Sequence, residues 1–301
     1  MRYRPDIIEA RLTAFEQNCE LYATEHFSAR AAVFDVLLQV RQLLSLHRYD
    51  PVWGKYRRIL AQQAERIETR LRQADAELLH GLRCRIRRGD YTPNDLRQVF
   101  NRYTRYQPGR MGQMHRGYDD LDALIQGLIW TEPDPDILQS RHVDMIPYEP
   151  TPARVILDLV DQVSLSAEDV FYDLGSGLGH VAILAHLITG ATSIGVEIEA
   201  DYCLHAEHRA VALGLSKLHF LNLDARHACY ADGTVFFMYT PFTGEILSAV
   251  LDILARKALC RPMIVCTYGA CTFEVLGQPW LRLRHTDMEQ IYALAVFDSV
   301  S

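Results

Sequence analysis

Apolar residues in the first half of the chain recur at a spacing of three or four positions. This spacing places them on one face of a helix, and it continues for about seven turns. Asp50 and Pro51 form a cap and first-turn pair ahead of the longest stripe. That stripe consists of Trp53, Tyr56, Leu60, Ala64, Ile67, Leu71, Ala74 and Leu78. An all-α N-terminal domain is therefore predicted over residues 1–147, with a proline-rich connector at 131–152.

After residue 170 the pattern changes, and short apolar runs alternate with stretches of helical period. This alternation predicts a parallel sheet covered by helices on both faces. The last two runs have no obvious helix between them, which predicts an antiparallel pair at the C-terminal edge. The runs span residues 170–173, 193–197, 218–222, 234–239, 262–268, 281–285 and 290–297. An α/β fold with a seven-stranded, Rossmann-like sheet is predicted for a second domain, residues 148–301.

Charge is distributed unevenly between the two predicted domains. The chain carries 31 Lys+Arg and 38 Asp+Glu, a net charge of −7. Residues 1–147 hold 22 basic and 20 acidic side chains, and residues 148–301 hold 9 and 18. An acidic second half disfavours nucleic acid as a partner of that half.

Membrane, secretory and disulfide-rich classes are disfavoured by the sequence. No apolar run reaches the roughly 18 residues of a membrane span, and the first residues are too charged for a secretory signal. The seven cysteines include no Cys-x-x-Cys pair, so neither a zinc ribbon nor a disulfide framework is expected. A cytoplasmic protein without a membrane partner is the expectation, and nothing in the sequence compels an oligomer.

The stretch FYDLGSGLGHVAIL, residues 171–184, carries three closely spaced glycines after a predicted strand. A triphosphate loop is excluded because no Gly-Lys-Ser/Thr follows. The dinucleotide fingerprint fails at its third glycine, where His180 stands. Asp173, two residues before Gly175, would repel a pyrophosphate. It suits a cationic ligand without phosphate, and S-adenosylmethionine has an α-ammonium and a sulfonium.

Two further acids follow the next two predicted strands. Glu197 lies 22 residues after Gly175, where an acid accepts hydrogen bonds from ribose hydroxyls. Asp224 follows the third strand and is predicted to accept from the adenine amino group. Each acid lies just beyond the carboxyl end of a strand, which is where open α/β sheets bind ligands. A nicotinamide-dependent oxidoreductase remains the alternative, with Asp173 and His180 against it.

The segment DLGSGLGHV resembles the first motif of class I S-adenosylmethionine-dependent methyltransferases. Its form is most similar to the disruptor-of-telomeric-silencing family, the non-SET histone-lysine methyltransferases. YEPTP resembles the upstream Tyr-x-x-Thr loop of that family, GVE matches as well, and the likeness covers about residues 148–250. The resemblance implies a methyltransferase sheet and S-adenosylmethionine as cofactor. The predicted cofactor-binding residues are Tyr148, Thr151, Asp173, Gly175, Ser176, Gly177, Gly179, Glu197 and Asp224.

The chain departs from that family at two places. Pro150 stands where the family has a glutamate, and FMYTPFTGE replaces an Asn-Asn-Phe stretch after the fourth strand. The replacement is similar to the polar-Pro-aromatic motif of some amino-group methyltransferases. Tyr239, Thr240 and Phe242 are the predicted catalytic residues, orienting the acceptor and walling its channel. The alternative is that Tyr239 and Phe242 are core residues.

The predicted function is methyl transfer to an amine, on a protein lysine or a small molecule. A non-catalytic S-adenosylmethionine-binding module is the alternative. No metal site is predicted, because His205 and His208 lack a third ligand and Cys266 and Cys271 suit a core. His180 either touches the carboxylate of the ligand or faces solvent. Residues 101–120 mix Arg, Tyr, Met and Gly, and a substrate-contacting loop is one interpretation of them.

Overall fold

A computed structural model describes residues 4–106, 118–130, 146, 148–285 and 292–300. These residues divide into two compact units. The predicted connector and most of the predicted substrate-contacting loop lie outside the described residues.

Of the described residues, the first unit holds 4–85, 98–106 and 118–128, and the second holds 86–97, 129–130, 146, 148–285 and 292–300. The predicted domain boundary at residue 147 stays a prediction.

The N-terminal part of the chain is helical, as the apolar stripes predict. The long stripe is buried along one face of α3, where it packs with residues of α1 and α2 in one core. Leu12, Leu60, Ile67 and Leu71 have no exposed surface. The helices are α1 (Pro5–Gln17), α2 (Phe27–Leu46), α3 (Pro51–Arg87), α4 (Pro93–Tyr103) and α5 (Asp120–Ile129).

Arg30 is a charged side chain that is fully buried in this helical part. Arg30 of α2 donates to a carboxylate oxygen of Asp75 on α3 at 2.5 Å and to the carbonyl oxygen of Leu21 at 3.2 Å. A buried guanidinium is tolerated only when its donors are satisfied. Arg30 thereby fixes the turn before α2 against α3.

The C-terminal part is a seven-stranded sheet with flanking helices, in agreement with the prediction. Strand and helix alternate because each apolar run is followed by an amphipathic stretch that covers the sheet. The elements are α6 (Ala153–Val163), β1 (Val170–Leu174), α7 (His180–Thr189), β2 (Thr192–Glu197), α8 (Ala200–Leu213), β3 (Leu218–Asn222), β4 (Val235–Tyr239), α9 (Gly244–Ala258), β5 (Ile264–Tyr268), α10 (Thr272–Leu276), β6 (Leu281–His285) and β7 (Leu294–Ser299).

The strands lie in the order β3-β2-β1-β4-β5-β7-β6. All neighbouring pairs are parallel except those of β7 with β5 and with β6, which confirms the antiparallel C-terminal edge. The chain runs outward from β1 to β3 and then returns to place β4 on the other side of β1. Ligands bind such sheets in the crevice at this reversal. The carboxyl ends of β1, β2 and β4 therefore define the place to look for a site.

Within the described residues, no helix combines the length and the apolar character needed to cross a bilayer.

Candidate functional site

A cleft opens at the carboxyl ends of β1, β2 and β4. It encloses about 950 Å³, counting the part that is open to solvent. Every predicted cofactor-binding residue except Ser176 and Gly179 lines it, as do all three predicted catalytic residues. Residues distant in the sequence are thus brought together at the crevice that the topology creates.

The glycine turn, residues 175–179, follows β1 directly. Gly175 and Gly177 have φ of +76° and +51°, a region that side chains rarely adopt. A Cβ on Gly175 would lie 2.1 Å from Pro241, and one on Gly177 would lie 2.3 Å from the ring of Tyr148. Only glycine fits there, so the turn keeps its backbone close to whatever occupies the cleft. Gly179 shares the positive φ and precedes α7.

Backbone hydrogen bonds hold this turn against β2. The N–H groups of Gly175 and Ser176 donate to the carbonyl oxygen of Val196 at 2.8 and 3.1 Å. The N–H of Gly177 donates to Glu197 Oε2 at 2.8 Å. Ser176 is buried under the turn rather than facing the cleft, and its hydroxyl has no hydrogen-bond partner among the described residues.

Asp173 is a buried acid at the end of β1, with 3% of its surface exposed. The backbone N–H of Ala182 donates to its carboxyl group. Oδ2 has no partner within the described part of the chain. Burial, and then the nearby charge of Glu197, raise the pKa of Asp173 to about 8. A buried carboxylate with an unsatisfied oxygen is costly unless a ligand supplies a donor, and a cationic donor relieves the cost best.

Glu197 ends β2 and is also buried. Besides the Gly177 contact, its Oε1 accepts from the N–H of Glu199 at 2.9 Å. Burial raises its pKa, and the backbone donors oppose that shift. The two backbone donors fix the carboxylate at the edge of the cleft, where remaining lone pairs are available to hydroxyl groups.

Asp224 lines the cleft after β3, and its carboxylate is shared with its own loop. Oδ1 accepts from the backbone N–H of Arg226 at 2.8 Å, and Oδ2 accepts from the guanidinium of Arg226 at 2.7 Å. The Arg226 side chain lowers the pKa of Asp224. The carboxylate thus already has two partners, and its predicted contact with adenine stays a prediction.

His180 is buried at the start of α7 and lines the cleft, so the interpretation in which it faces solvent is wrong. Neither ring nitrogen has a partner among the residues that the structure describes. Burial, and then the charge of Arg209, lower its pKa to about 4, so the imidazole is neutral at physiological pH. Its ring centroid lies 5.1 Å from that of Trp130. A neutral imidazole keeps one N–H to donate into the cleft.

The upstream loop brings three residues to the cleft. Thr151 is buried, and Tyr148 packs its ring on Gly177 and 5.4 Å from the ring of Tyr202. Sequence reasoning missed Glu149, whose carboxylate lines the cleft and accepts a hydrogen bond from the Tyr239 hydroxyl. The loop therefore does present a glutamate, one position before Pro150. This glutamate is visible in the segment YEPTP, directly before Pro150.

The predicted catalytic residues lie where β4 ends. Phe242 is buried in the core around α9 and also lines the cleft. Its role in walling an acceptor channel stays a prediction. Tyr239 is half-buried, and its ring lines the cleft as well.

Thr240 has a strained φ of +36°. Its hydroxyl is engaged inside the protein, donating to the Tyr268 carbonyl and accepting from the Cys271 N–H, both at 3.1 Å. The hydroxyl proton of Thr240 is therefore not available to orient an acceptor.

The other histidines and cysteines that the sequence offered as metal ligands lie outside the cleft. Cys266 and Cys271 are buried core thiols, as predicted. His205 and His208 lie on α8. Across the described ranges, no group of three His, Cys, Asp or Glu side chains is arranged to hold a metal ion.

Comparisons with known proteins show which proteins the chain is similar to. Residues 144–231 match the model of the family described as histone methylation protein DOT1. No curated protein sequence matches the chain.

Solved structures with a similar fold include an RNA methyltransferase from Salinibacter ruber in complex with S-adenosyl-L-homocysteine. It is 23% identical, with a TM-score of 0.40, and the match covers 50% of this chain and 92% of that one. The magnesium protoporphyrin IX methyltransferase from Synechocystis, with bound SAM, is 20% identical, with a TM-score of 0.37. That match covers 49% of this chain and 76% of that one.

The matched residues 144–231 contain the upstream loop, the glycine turn and the acids at or just beyond the ends of β1, β2 and β3. The chain is thus a class I S-adenosylmethionine-dependent methyltransferase related to the histone methylation protein DOT1.

Proposed function

We propose that the chain transfers a methyl group from S-adenosylmethionine to an amine. The observation that carries this proposal is the buried Asp173 carboxylate, with an unsatisfied oxygen, beside the glycine turn and facing the same cleft as Tyr239 and Phe242. A cytoplasmic location and the absence of nucleic acid among its partners stay predictions.

The side chains of the cleft fit this cofactor group by group. Asp173 would hold the α-ammonium, and the neutral imidazole of His180 would donate to the carboxylate. Glu197 would accept from the ribose hydroxyls, and Asp224 would face the adenine amino group. Tyr148 and Thr151 would close the loop over the methionine part. The polar groups that burial leaves unsatisfied at Asp173 and His180 thereby acquire partners.

The same groups disfavour a dinucleotide. A pyrophosphate beside ionised Asp173 would place two like charges together in a buried site, and it offers no donor to the unsatisfied oxygen. His180 fills the place where the dinucleotide motif needs a third glycine. We therefore favour the methyl donor over a nicotinamide cofactor.

When bound, S-adenosylmethionine would supply a sulfonium methyl group to an amine that has lost its proton, and the electron pair of the carbon–sulfur bond would stay on sulfur. The protein has to align the amine and exclude water. The strained turn at Thr240, clamped to β5 by its hydroxyl, holds the 240 carbonyl at the end of β4, where it can accept from an amine N–H. Phe242 walls that end, and an aromatic face suits a cation.

Binding and transfer assays test the proposal. Calorimetry with S-adenosylhomocysteine measures whether the cleft holds the cofactor, and a labelled-methyl assay with lysine-containing peptides and alkylamines measures transfer. We expect micromolar binding and methylamine products. Binding without transfer to any acceptor would favour the non-catalytic module. No binding, combined with tight binding of NADH, would replace the methyltransferase by an oxidoreductase.

A further inference from the structure

The charged side chains that line the cleft are all acidic in the part of the chain that the structure describes. Among the described residues that line it, there are five carboxylates and no lysine or arginine. Asp173, Glu197 and Asp224 are assigned to the cofactor by the proposal above, and Glu199 gives its backbone N–H to Glu197. The carboxylates of Glu149 and Glu199 have no role in that assignment, and Glu149 is the one in contact with Tyr239. A second cationic group beside the cofactor would give Glu149 a role.

Three tyrosines form a row from the cleft toward the surface, and we call Tyr239, Tyr268 and Tyr292 the tyrosine row. They lie at the ends of β4 and β5 and just before β7. Ring centroids of Tyr239 and Tyr268 are 4.9 Å apart in an edge-to-face contact, and those of Tyr268 and Tyr292 are 5.9 Å apart. Tyr268 is 6% exposed and Tyr292 is 50% exposed, so the row reaches solvent.

Glu149 faces this row. It accepts a hydrogen bond from the Tyr239 hydroxyl, and its charge also acts on Tyr268. Burial, and then Glu149, raise the pKa of both phenols, so they remain neutral donors. Aromatic faces with one carboxylate form an environment that favours an alkylammonium group over a neutral one, because the ring faces and the carboxylate both attract a cation.

We infer that Glu149 and the tyrosine row form an acceptor subsite that selects an alkylammonium group and guides it toward the end of β4. The ammonium releases one proton to solvent at the exposed rim beside Glu149 before its lone pair can accept the methyl group. The inference rests on the proposed function and adds which residues choose the acceptor. A lysine side chain and a free alkyldiamine share this chemistry. Glu149 is exposed at the rim of the cleft, so an acceptor carried on a long, flexible chain reaches it first.

The test uses the full chain saturated with S-adenosylhomocysteine. Ligand-observed NMR measures binding of 1,5-diaminopentane, of a lysine-containing peptide and of neutral 1,5-pentanediol, for the wild type and for Glu149→Gln. We expect the wild type to bind at least one of the two amines and to ignore the diol. Glu149→Gln should weaken amine binding about tenfold and raise the acceptor KM by the same factor, with less than a twofold change in the affinity for S-adenosylhomocysteine.

Two further variants separate charge from fold. Glu274→Gln removes another exposed acid, on α10 outside the cleft, and should change nothing. Tyr292→Ala shortens the exposed end of the row and should weaken amine binding about threefold. Amine binding that is unchanged in Glu149→Gln, or an equal loss of cofactor affinity, overturns the inference. If the wild type fails to bind S-adenosylhomocysteine, the proposed function fails first. Binding of the peptide alone indicates a protein lysine as the acceptor, and binding of 1,5-diaminopentane alone indicates a free alkyldiamine.

Discussion

The two ends of the cleft are built in different ways. The glycine turn, Asp173 and Glu197 all lie within residues 173–197 and are held by backbone hydrogen bonds, and the two carboxyl groups are buried. Glu149 and the tyrosine row come from four separate segments and reach the solvent through side chains. A cofactor that never varies suits a site made by backbone geometry, whereas an acceptor is selected by side chains that substitution can change without altering the fold.

The largest expected effect comes from placing a methyl group in the glycine turn. Gly177→Ala puts a Cβ 2.3 Å from the Tyr148 ring at a φ of +51°. We expect a loss of at least about 100-fold in affinity for S-adenosylhomocysteine, because the turn or Tyr148 must move into the cleft. Calorimetry measures the loss.

Gly190→Ala is the matched control. Its φ is +74°, but its Cβ would meet only Ala167 at 3.6 Å, outside the cleft. It should lower the free energy of unfolding by about 1 kcal/mol and keep the affinity. Equal affinity losses in the two variants would mean that backbone strain, not the close approach at the cleft, determines binding.

A smaller effect is expected at His180. Replacing it by Phe keeps a buried ring and removes the N–H donor. We expect affinity for S-adenosylhomocysteine to fall about tenfold, the worth of a hydrogen bond to a charged group. 5′-Methylthioadenosine lacks the carboxylate, so its affinity should hardly change. Equal losses of affinity for both ligands would mean that His180 contributes by packing and does not recognise the carboxylate.

The smallest expected effect concerns the protein without ligand. Because the pKa of Asp173 is raised to about 8, from about 3.9 in the unfolded chain, the folded state holds the proton longer. Wild-type stability should therefore fall as pH rises from 4 to 8. Asp173→Asn removes this penalty, so its Tm should exceed that of the wild type by roughly 3–10 °C at pH 8.

The Tm gap should narrow steadily toward pH 4, where Asp173 is protonated in the folded wild type and about half protonated in the unfolded chain. Differential scanning calorimetry over this pH range provides the check. A constant Tm gap, or a lower Tm for the variant at pH 8, would show that burial does not raise the pKa of Asp173.

The sequence predicted the sheet and the glycine turn well. Periodicity within each segment determines strand and helix, and the turn is a local motif in which Asp173, Gly175 and Gly177 carry their own geometric constraints. The acid at Glu197 followed from its place after the next strand.

The end of the cleft formed by Glu149 and the tyrosine row could not be predicted in the same way. The contact between Glu149 and Tyr239 joins residues ninety positions apart and depends on the order in which β4 pairs with β1. Whether His180 faces solvent or the cleft depends on how the folded chain buries it. The hydrogen bond from Thr240 to β5 uses the proton of the Thr240 hydroxyl, which is therefore not available to an acceptor. Such contacts depend on tertiary packing, which no local spacing encodes.

Calorimetry of S-adenosylhomocysteine and of 5′-methylthioadenosine, with the wild type and Asp173→Asn at pH 8, tests the central claim most directly. If the buried carboxylate binds the α-ammonium, the variant loses about 100-fold in affinity for the first ligand and less than twofold for the second, which has no ammonium. Unchanged affinity for S-adenosylhomocysteine in the variant would contradict the claim.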